Sequence, residues 1–332
     1  MRSKVTNRRA YRRSATPFVL FHFVPLLAFW TGVTKTALIL LVSLYVTRML
    51  AITCGYHRYF SHRTYKMNRA MQFIVGFWGT TAVQRGPIWW AKHHRDHHKY
   101  ADTDRDPHTP KDGFWWSHIG WVLSGDYSRP SFEGMEDLTR YPELVYIDRK
   151  DWIGPWFLAL ACLAIGGWSG LVLGFFGSTI GVWHSTFSIN SLTHLWGRRR
   201  YATPDTSRNS FVLAIITMGE GWHNNHHHYP RSVRQGFFWW EFDPGYYVLK
   251  VASWLHLVKD LQYPTAAAMD ARLIKGGQFD VGRFRQHFDK AVHTLPEEAH
   301  HVRELLREAA DQAASSLASA SRSGSRSRVG TP

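Results

Sequence analysis

Residues 152–197 read WIGPWFLALACLAIGGWSGLVLGFFGSTIGVWHSTFSINSLTHLWG, a run of 46 positions without one Asp, Glu, Lys or Arg. At ~1.5 Å per helical residue the run would extend roughly 69 Å, about twice the ~30 Å of a hydrocarbon core. Two membrane crossings joined by a tight turn fit that length, and "GGWSG" at Gly166–Gly170 supplies the turn. One such run alone would also suit a buried helix of a soluble core. Its recurrence elsewhere in the chain argues against that reading.

Outward toward the N-terminus, Ser14 to Thr34 carries no charge, and Thr36 to Tyr56 carries only Arg48. Arg48 sits near the end of its run, where its side chain is expected to snorkel to the interface. Two further apolar runs, Ala70 to Gln84 and Phe211 to Gly219, are short for a crossing and read as interfacial or buried helices. The expectation is an all-α membrane protein with four transmembrane helices in two hairpins, at about 17–33, 35–55, 152–168 and 170–192. Residues 1–16 hold Arg2, Lys4, Arg8, Arg9, Arg12 and Arg13, which places them in the cytoplasm by the positive-inside rule. Each hairpin returns the chain to that side, so both termini and a helical cap of 56–151 and 193–262 are expected there. Residues 263–316 read as a helical extension and 317–332 as a disordered Ser/Arg/Gly tail.

The 332 residues hold 40 Lys+Arg against 25 Asp+Glu, a net charge of +15. Such a balance suits nucleic acid, a membrane surface or an acidic substrate. The 16 tryptophans favour a membrane interface over nucleic acid, which is not expected as a partner. The pairs Trp89-Trp90, Trp115-Trp116 and Trp239-Trp240 read as lining for a substrate tunnel or, by preference, as interface anchors. Cys54 and Cys162 form no CxxC, so no disulfide framework, zinc ribbon or iron–sulfur site is expected. No secretory signal with a credible cleavage site is evident.

Histidines gather beside these spans. "HRYFSH" gives His57 and His62, "HHRDHH" gives His93, His94, His97 and His98, "NSLTH" gives Asn190 and His194, and "HNNHHH" gives His223, His226, His227 and His228. In HxxHH the first ring and the last two lie three and four residues apart, on one helical face. In HxxxxH a regular helix would point the two rings apart, so they either serve different metal ions or straddle a helix end. Nine or more converging imidazoles exceed the needs of one ion. A dinuclear centre follows, with Fe, Zn, Cu or Ni allowed by ligand type. The chain has no GxSxG, P-loop or GxGxxG, so hydrolase, kinase and nicotinamide chemistries lack support. His93 and His228 break the spacing. His22, His108, His118 and His184 read as ordinary isolated side chains.

These boxes resemble the integral-membrane fatty acid desaturases, in particular the Δ9 acyl-CoA (stearoyl-CoA) type. The resemblance rests on "GYHRYFSHRTYK" (55–66), "HHRDHHKYADTDRDPHTPKDGFWWSHIGW" (93–121), "NSLTHLWGRRRY" (190–201) and "GEGWHNNHHHYPRSVRQG" (219–236), and covers residues 17–262. It implies a mushroom-like helical protein with a cytoplasmic catalytic cap. It implies a di-iron centre that uses O2 and two electrons to place a cis Δ9-type double bond in a saturated acyl chain. The ligands it implies are His57, His62, His94, His97, His98, His194, His223, His226 and His227, with Asn190 acting through a water. Asp106 and Glu220 are candidate carboxylates behind the ligands. Arg198, Arg199, Arg200, Arg231 and Arg234 are candidate cations for the head group of a CoA or other acyl carrier. No HPGG haem motif occurs, so electrons come from a separate cytochrome b5-like or ferredoxin-like protein.

Two rivals remain. Membrane fatty acid and alkane hydroxylases share similar boxes, but box spacing and "NSLTH" favour the desaturase. A metal carrier or bis-histidine haem protein would place its ligands inside the spans. Here the spans hold only His22 and His184, expected to be apart.

Overall fold

The computed structural model describes residues 8–127 and 132–280, with Glu304, Glu308 and Gln312. The expected tail and nearly all of the extension beyond 280 lie outside the described residues. Among the described residues, three helical elements are long and apolar enough to cross a membrane: Tyr11–Thr31, Lys35–Ser61 and Ile153–Leu195. Thr34 caps the second, its hydroxyl accepting from the Ala37 amide at 3.1 Å.

The third element is 43 residues long and does not run straight. Gly167 takes φ 60° and ψ −154°, a backbone state open mainly to glycine, inside the predicted turn. Past it the chain folds back on itself. A Cβ at Gly170 would stand 2.5 Å from the Cys162 carbonyl, and one at Gly174 would touch Cys162 Sγ at 3.6 Å. The long apolar run is thus a hairpin of two packed arms, zipped by small residues.

The second element continues six residues beyond its expected end at 55. Its last part, Ala51–Ser61, is wound with i→i+5 hydrogen bonds and is buried almost throughout. This carries His57 on the span itself.

Arg48 does not snorkel. It is fully buried, donating to Leu44 O at 3.1 Å, Thr81 O at 3.0 Å and Thr179 Oγ1 at 2.7 Å, and also to Ser178 Oγ. Carbonyls and hydroxyls from three segments replace the water that the guanidinium would otherwise seek.

The cap packs on these helices through Met49, Ile52, Tyr56, Phe60, Ile88 and Leu144. Its central helix, Pro87–Tyr100, carries "HHRDHH". Pro87 suits the first helical turn, whose free amides of Ile88 and Trp89 donate to Asp148 Oδ1 at 2.8 and 2.9 Å. The molecule is mostly helical rather than all-α. Lys66–Met67 pairs antiparallel with Val258–Lys259, and Gly197–Tyr201 with Leu273–Asp280. The start of the extension therefore differs from the expected helix. After the short helix Ala266–Asp270, residues 273–280 form a strand. Gly276 and Gly277 weaken a helix there, and the edge of Gly197–Tyr201 offers backbone partners.

Candidate metal centre

The nine histidines drawn from the boxes come together from four segments of chain. His57, His62, His94, His98 and His226 form one group, and His97, His194, His223 and His227 a second; within each, ligand nitrogens lie within 4.8 Å of one another. The groups adjoin, with the His98 and His227 rings stacked at 4.5 Å. Facing Nε2 pairs stand at 3.0 Å for His57–His226, 2.8 Å for His62–His94, 2.8 Å for His98–His226, and 3.1 Å for His194–His223.

The i→i+5 winding explains the first box. With its longer turn, His57 and His62 fall on one side, and their rings lie 4.9 Å apart in the same group. The expected divergence on a regular helix does not arise. In "HHRDHH", His94 and His98 join the first group while His97 joins the second, so one helix feeds both.

Carboxylates stand behind several rings. His97 Nδ1 is 3.1 Å from both oxygens of Asp106, and His57 Nδ1 contacts Glu220, as the sequence suggested. Sequence reasoning missed two more. Asp205 Oδ2 lies 2.9 Å from His227 Nδ1, and Asp102 Oδ1 lies 3.4 Å from His194 Nδ1. The alternating acids of "ADTDRD" could have flagged Asp102, whereas nothing in "TPDTS" marks Asp205. A carboxylate on Nδ1–H fixes the tautomer and turns the Nε2 lone pair inward.

Electrostatics fit metal binding. Burial, followed by the neighbouring rings, holds His62, His94, His98, His223 and His226 far below the ordinary histidine range, hence neutral. Neutral imidazole is the ligating form. Burial pulls His97 down as well, but Asp106 outweighs it and raises this ring. Although burial opposes it, His97 holds Asp106 well below the usual carboxylate range, and His227 does the same for Asp205. The Nδ1 atoms of His223 and His226 are buried without a hydrogen-bond partner. Nine imidazoles gathered in groups of five and four suit a metal centre.

An apolar cavity of about 110 Å³ reaches the groups, lined by Phe18, Trp89, Trp90, His94, Trp183 and Phe187 among others. A smaller one of about 30 Å³ continues it and shares Trp90, His94, Thr186 and Asn190. Trp89 and Trp90 thus line the cavity rather than anchoring at an interface. Trp115 and Trp239 are exposed as expected.

A family model described as fatty acid desaturase matches residues 34–250. The chain belongs to the fatty acid desaturase family. Among its relatives, an sn-2 palmitoyl-lipid 9-desaturase of Nostoc sp. (strain 36) is 38% identical over 251 residues, covering 73% of this chain and 87% of the relative. An sn-1 stearoyl-lipid 9-desaturase of Synechocystis sp. is 37% identical over 265 residues, 76% of this chain and 80% of the relative. An acyl-CoA 5-desaturase of Anemone leveillei is 34% identical, covering 72% and 73%.

Other histidines of this desaturase fall as follows. His93 packs beside Trp89, with ring centroids 4.2 Å apart, and His228 stacks on Tyr201 at 3.9 Å. His108, read as ordinary, lies 4.3 Å from the His97 ring, in a third potential ligand group with His97 and Asp106. His22 and His184 are not apart. Their Nε2 atoms are 2.9 Å from each other, and His184 Nδ1 is 3.0 Å from His118 Nε2. These three rings form a line and do not converge on one point.

The candidate head-group arginines are dispersed. Arg199 donates to Thr203 O at 2.7 Å, Arg200 pairs with Glu241, and Arg234 donates to Phe238 O at 2.7 Å. Arg198 and Arg231 are exposed, the latter on a basic cavity beside Arg63 and Lys259.

Proposed function

We propose that this chain is a four-span membrane desaturase that places a cis, Δ9-type double bond in a saturated acyl chain. The observation that carries this reading is an apolar cavity among the long apolar helices, continued by a smaller one whose wall includes His57 and His94 of one histidine group and His97 and His223 of the other. A methylene chain entering that cavity passes Trp90 and Thr186 beside both groups. How far the chain enters sets which carbons lie nearest the metals, and so the position of the double bond.

Two irons held by His57, His62, His94, His98 and His226, and by His97, His194, His223 and His227, with Asn190 acting through a water, would supply the power to oxidise unactivated C–H bonds with O2. The balance is R–CH2–CH2–R′ + O2 + 2 e⁻ + 2 H⁺ → R–CH=CH–R′ + 2 H2O. The protein contributes orientation and exclusion of water. Asp106, Asp205 and Glu220 hold the Nδ1 sides of His97, His227 and His57, the Thr206 hydroxyl meets His194 Nδ1 with Asp102 close by, and the tryptophan-lined wall keeps the substrate region dry. The Gly167 hairpin supports four crossings. The basic start of the chain supports a cytoplasmic cap and termini. Electrons come from a separate cytochrome b5-like or ferredoxin-like protein. The relatives named above are desaturases, which favours an alkene over the alcohol of a hydroxylase.

The test is gas chromatography–mass spectrometry of fatty acids from a host lacking its own desaturase, expressing this chain or its His97→Ala variant. A monoene made only by the intact chain supports the reading, and derivatisation reads its position. Hydroxy acids would replace the reading with the hydroxylase. Membranes supplied with palmitoyl-CoA or with dipalmitoyl phospholipid then identify the acyl carrier.

A further inference from the structure

A third cavity, of about 410 Å³, shares no lining residue with the acyl cavity or its continuation. Arg63, Lys66, Arg140, Arg231 and Lys259 line it against a single carboxylate, Asp137. All five cations are exposed. Asp137 is already shared by Arg63 and Arg95, and Lys66 meets Asp260 at 2.9 Å on the surface. These two carboxylates offset two of the five positive charges, which leaves the lining with a net charge of about +3. The cavity therefore presents a concentrated positive charge.

Its place relative to the metal centre is specific. Arg63 follows the ligand His62 directly in sequence. Behind the cavity wall, Asp137 takes both ends of the Arg95 guanidinium at 2.9 and 2.8 Å. Arg95 in turn donates to Phe60 O at 2.7 Å and Ser61 O at 3.0 Å, one and two residues before His62. Arg95 itself stands between the ligands His94 and His97 on its helix. A hydrogen-bonded bridge thus joins the basic surface to ligands of the first histidine group. In the proposed reaction each turnover takes two electrons from a separate donor protein, and these have to reach the histidine groups. Electron transfer weakens steeply with distance, which favours a docking face next to a ligand.

We propose that this basic cavity is the docking site of a small acidic one-electron carrier protein, which delivers electrons through the Arg63–His62 turn and the Asp137–Arg95 bridge. This rests on the desaturase reading. Complementary charge suits a transient encounter that must form and part twice per turnover.

The test measures binding, without turnover. The full chain in lipid nanodiscs is titrated with fluorescently labelled cytochrome b5 haem domain, and separately with a plant-type [2Fe–2S] ferredoxin. Arg140→Glu/Lys259→Glu reverses the cavity's charge, and Lys111→Glu/Lys150→Glu makes the same net change elsewhere. The cavity variant is expected to raise the Kd of the carrier about ten-fold or more at low salt, with the control within about two-fold. Added salt should weaken binding to the unaltered protein and leave the cavity variant nearly unaffected. Unchanged metal content and monodispersity show that the variants fold. Equal Kd values for both variants, or no binding of either carrier, would overturn the proposal. So would loss of CoA or pyrophosphate binding in the cavity variant with carrier affinity unchanged, which assigns the cavity to a phosphate ligand. Failure of the desaturase reading is separate, seen as no alkene from iron-loaded protein driven by dithionite.

Discussion

Asp205 Oδ2 sits 2.9 Å from His227 Nδ1, and so a loop with no recognisable signature sets the direction of a ring in the last histidine box. Asp205 is itself held, accepting from the Ser207 amide at 2.9 Å and from the Thr203 hydroxyl at 3.0 Å. Removing such a carboxylate typically lowers metal affinity or activity 10–100-fold, as a rough range. Asp205→Ala is expected to reduce bound iron by about that factor in equilibrium dialysis. Asp205→Asn keeps an acceptor oxygen and should lose less. Equal iron affinity in all three proteins would mean that His227 needs no support from this loop.

Gly219 has φ 116°, and a Cβ there would stand 2.1 Å from Asp243 Oδ1 and 2.6 Å from Arg58 Nη2. Asp243 and Arg58 form a buried pair at 2.9 Å, and Arg58 also reaches Glu220, the partner of His57. Gly219→Ala should therefore disturb the first histidine group through this network. We expect a stability loss of about 1–3 kcal/mol from crowding. Metal titration should show one of two sites weakened more than the other. A variant that binds two irons as the parent does would rule out this coupling.

Asp148 caps the helix that carries "HHRDHH". Burial raises its pKa to about 6, against the opposing pull of the Trp89 and Ile88 amides. Between about pH 4, the ordinary aspartate value, and pH 6, the folded chain holds a proton that the unfolded chain has lost. Stability from this group is thus full below about pH 4 and falls as pH rises through 6. Asp148→Asn removes that slope, so its Tm relative to the parent should improve between pH 5 and 7 in a detergent melt. Asp148→Ala loses the cap and should cost about 1 kcal/mol at every pH. Parallel Tm curves for parent and Asn variant would refute the assignment.

Arg48 makes four hydrogen bonds inside a span with no carboxylate beside it. A lysine keeps the charge but cannot reach Leu44 O, Thr81 O and Thr179 Oγ1 together. Arg48→Lys should lose about 1–3 kcal/mol, the cost of stranding buried polar groups. Monodisperse protein remaining after graded heating measures it, and an unchanged profile would show that water solvates the site.

Much of this architecture was legible in order along the chain. The charge-free run at 152–197 announced its hairpin, and the break falls at Gly167 inside the predicted "GGWSG". The histidine boxes named nine rings that the fold brings into two groups. What escaped the sequence depends on distant partners. Asp205 and Asp102 matter only because folding lays their loops against His227 and His194. Arg48 looked like an interfacial residue because its acceptors, Thr81 and Thr179, lie 33 and 131 positions away. The strand at 273–280 depends on an edge supplied by residues 197–201.

The winding of Ala51–Ser61 places one more residue in each turn than a helix would choose for itself. If the same residues relaxed into ordinary α-helix with the five-residue step from His57 to His62 kept, the two rings would turn apart. That chain would hold a more comfortable helix and a broken cage. A spacing that looks irregular beside the tidy HxxHH boxes is therefore a register mark. It records where local preference yields to the geometry that catalysis requires, and a design that straightened it would gain stability and lose the enzyme.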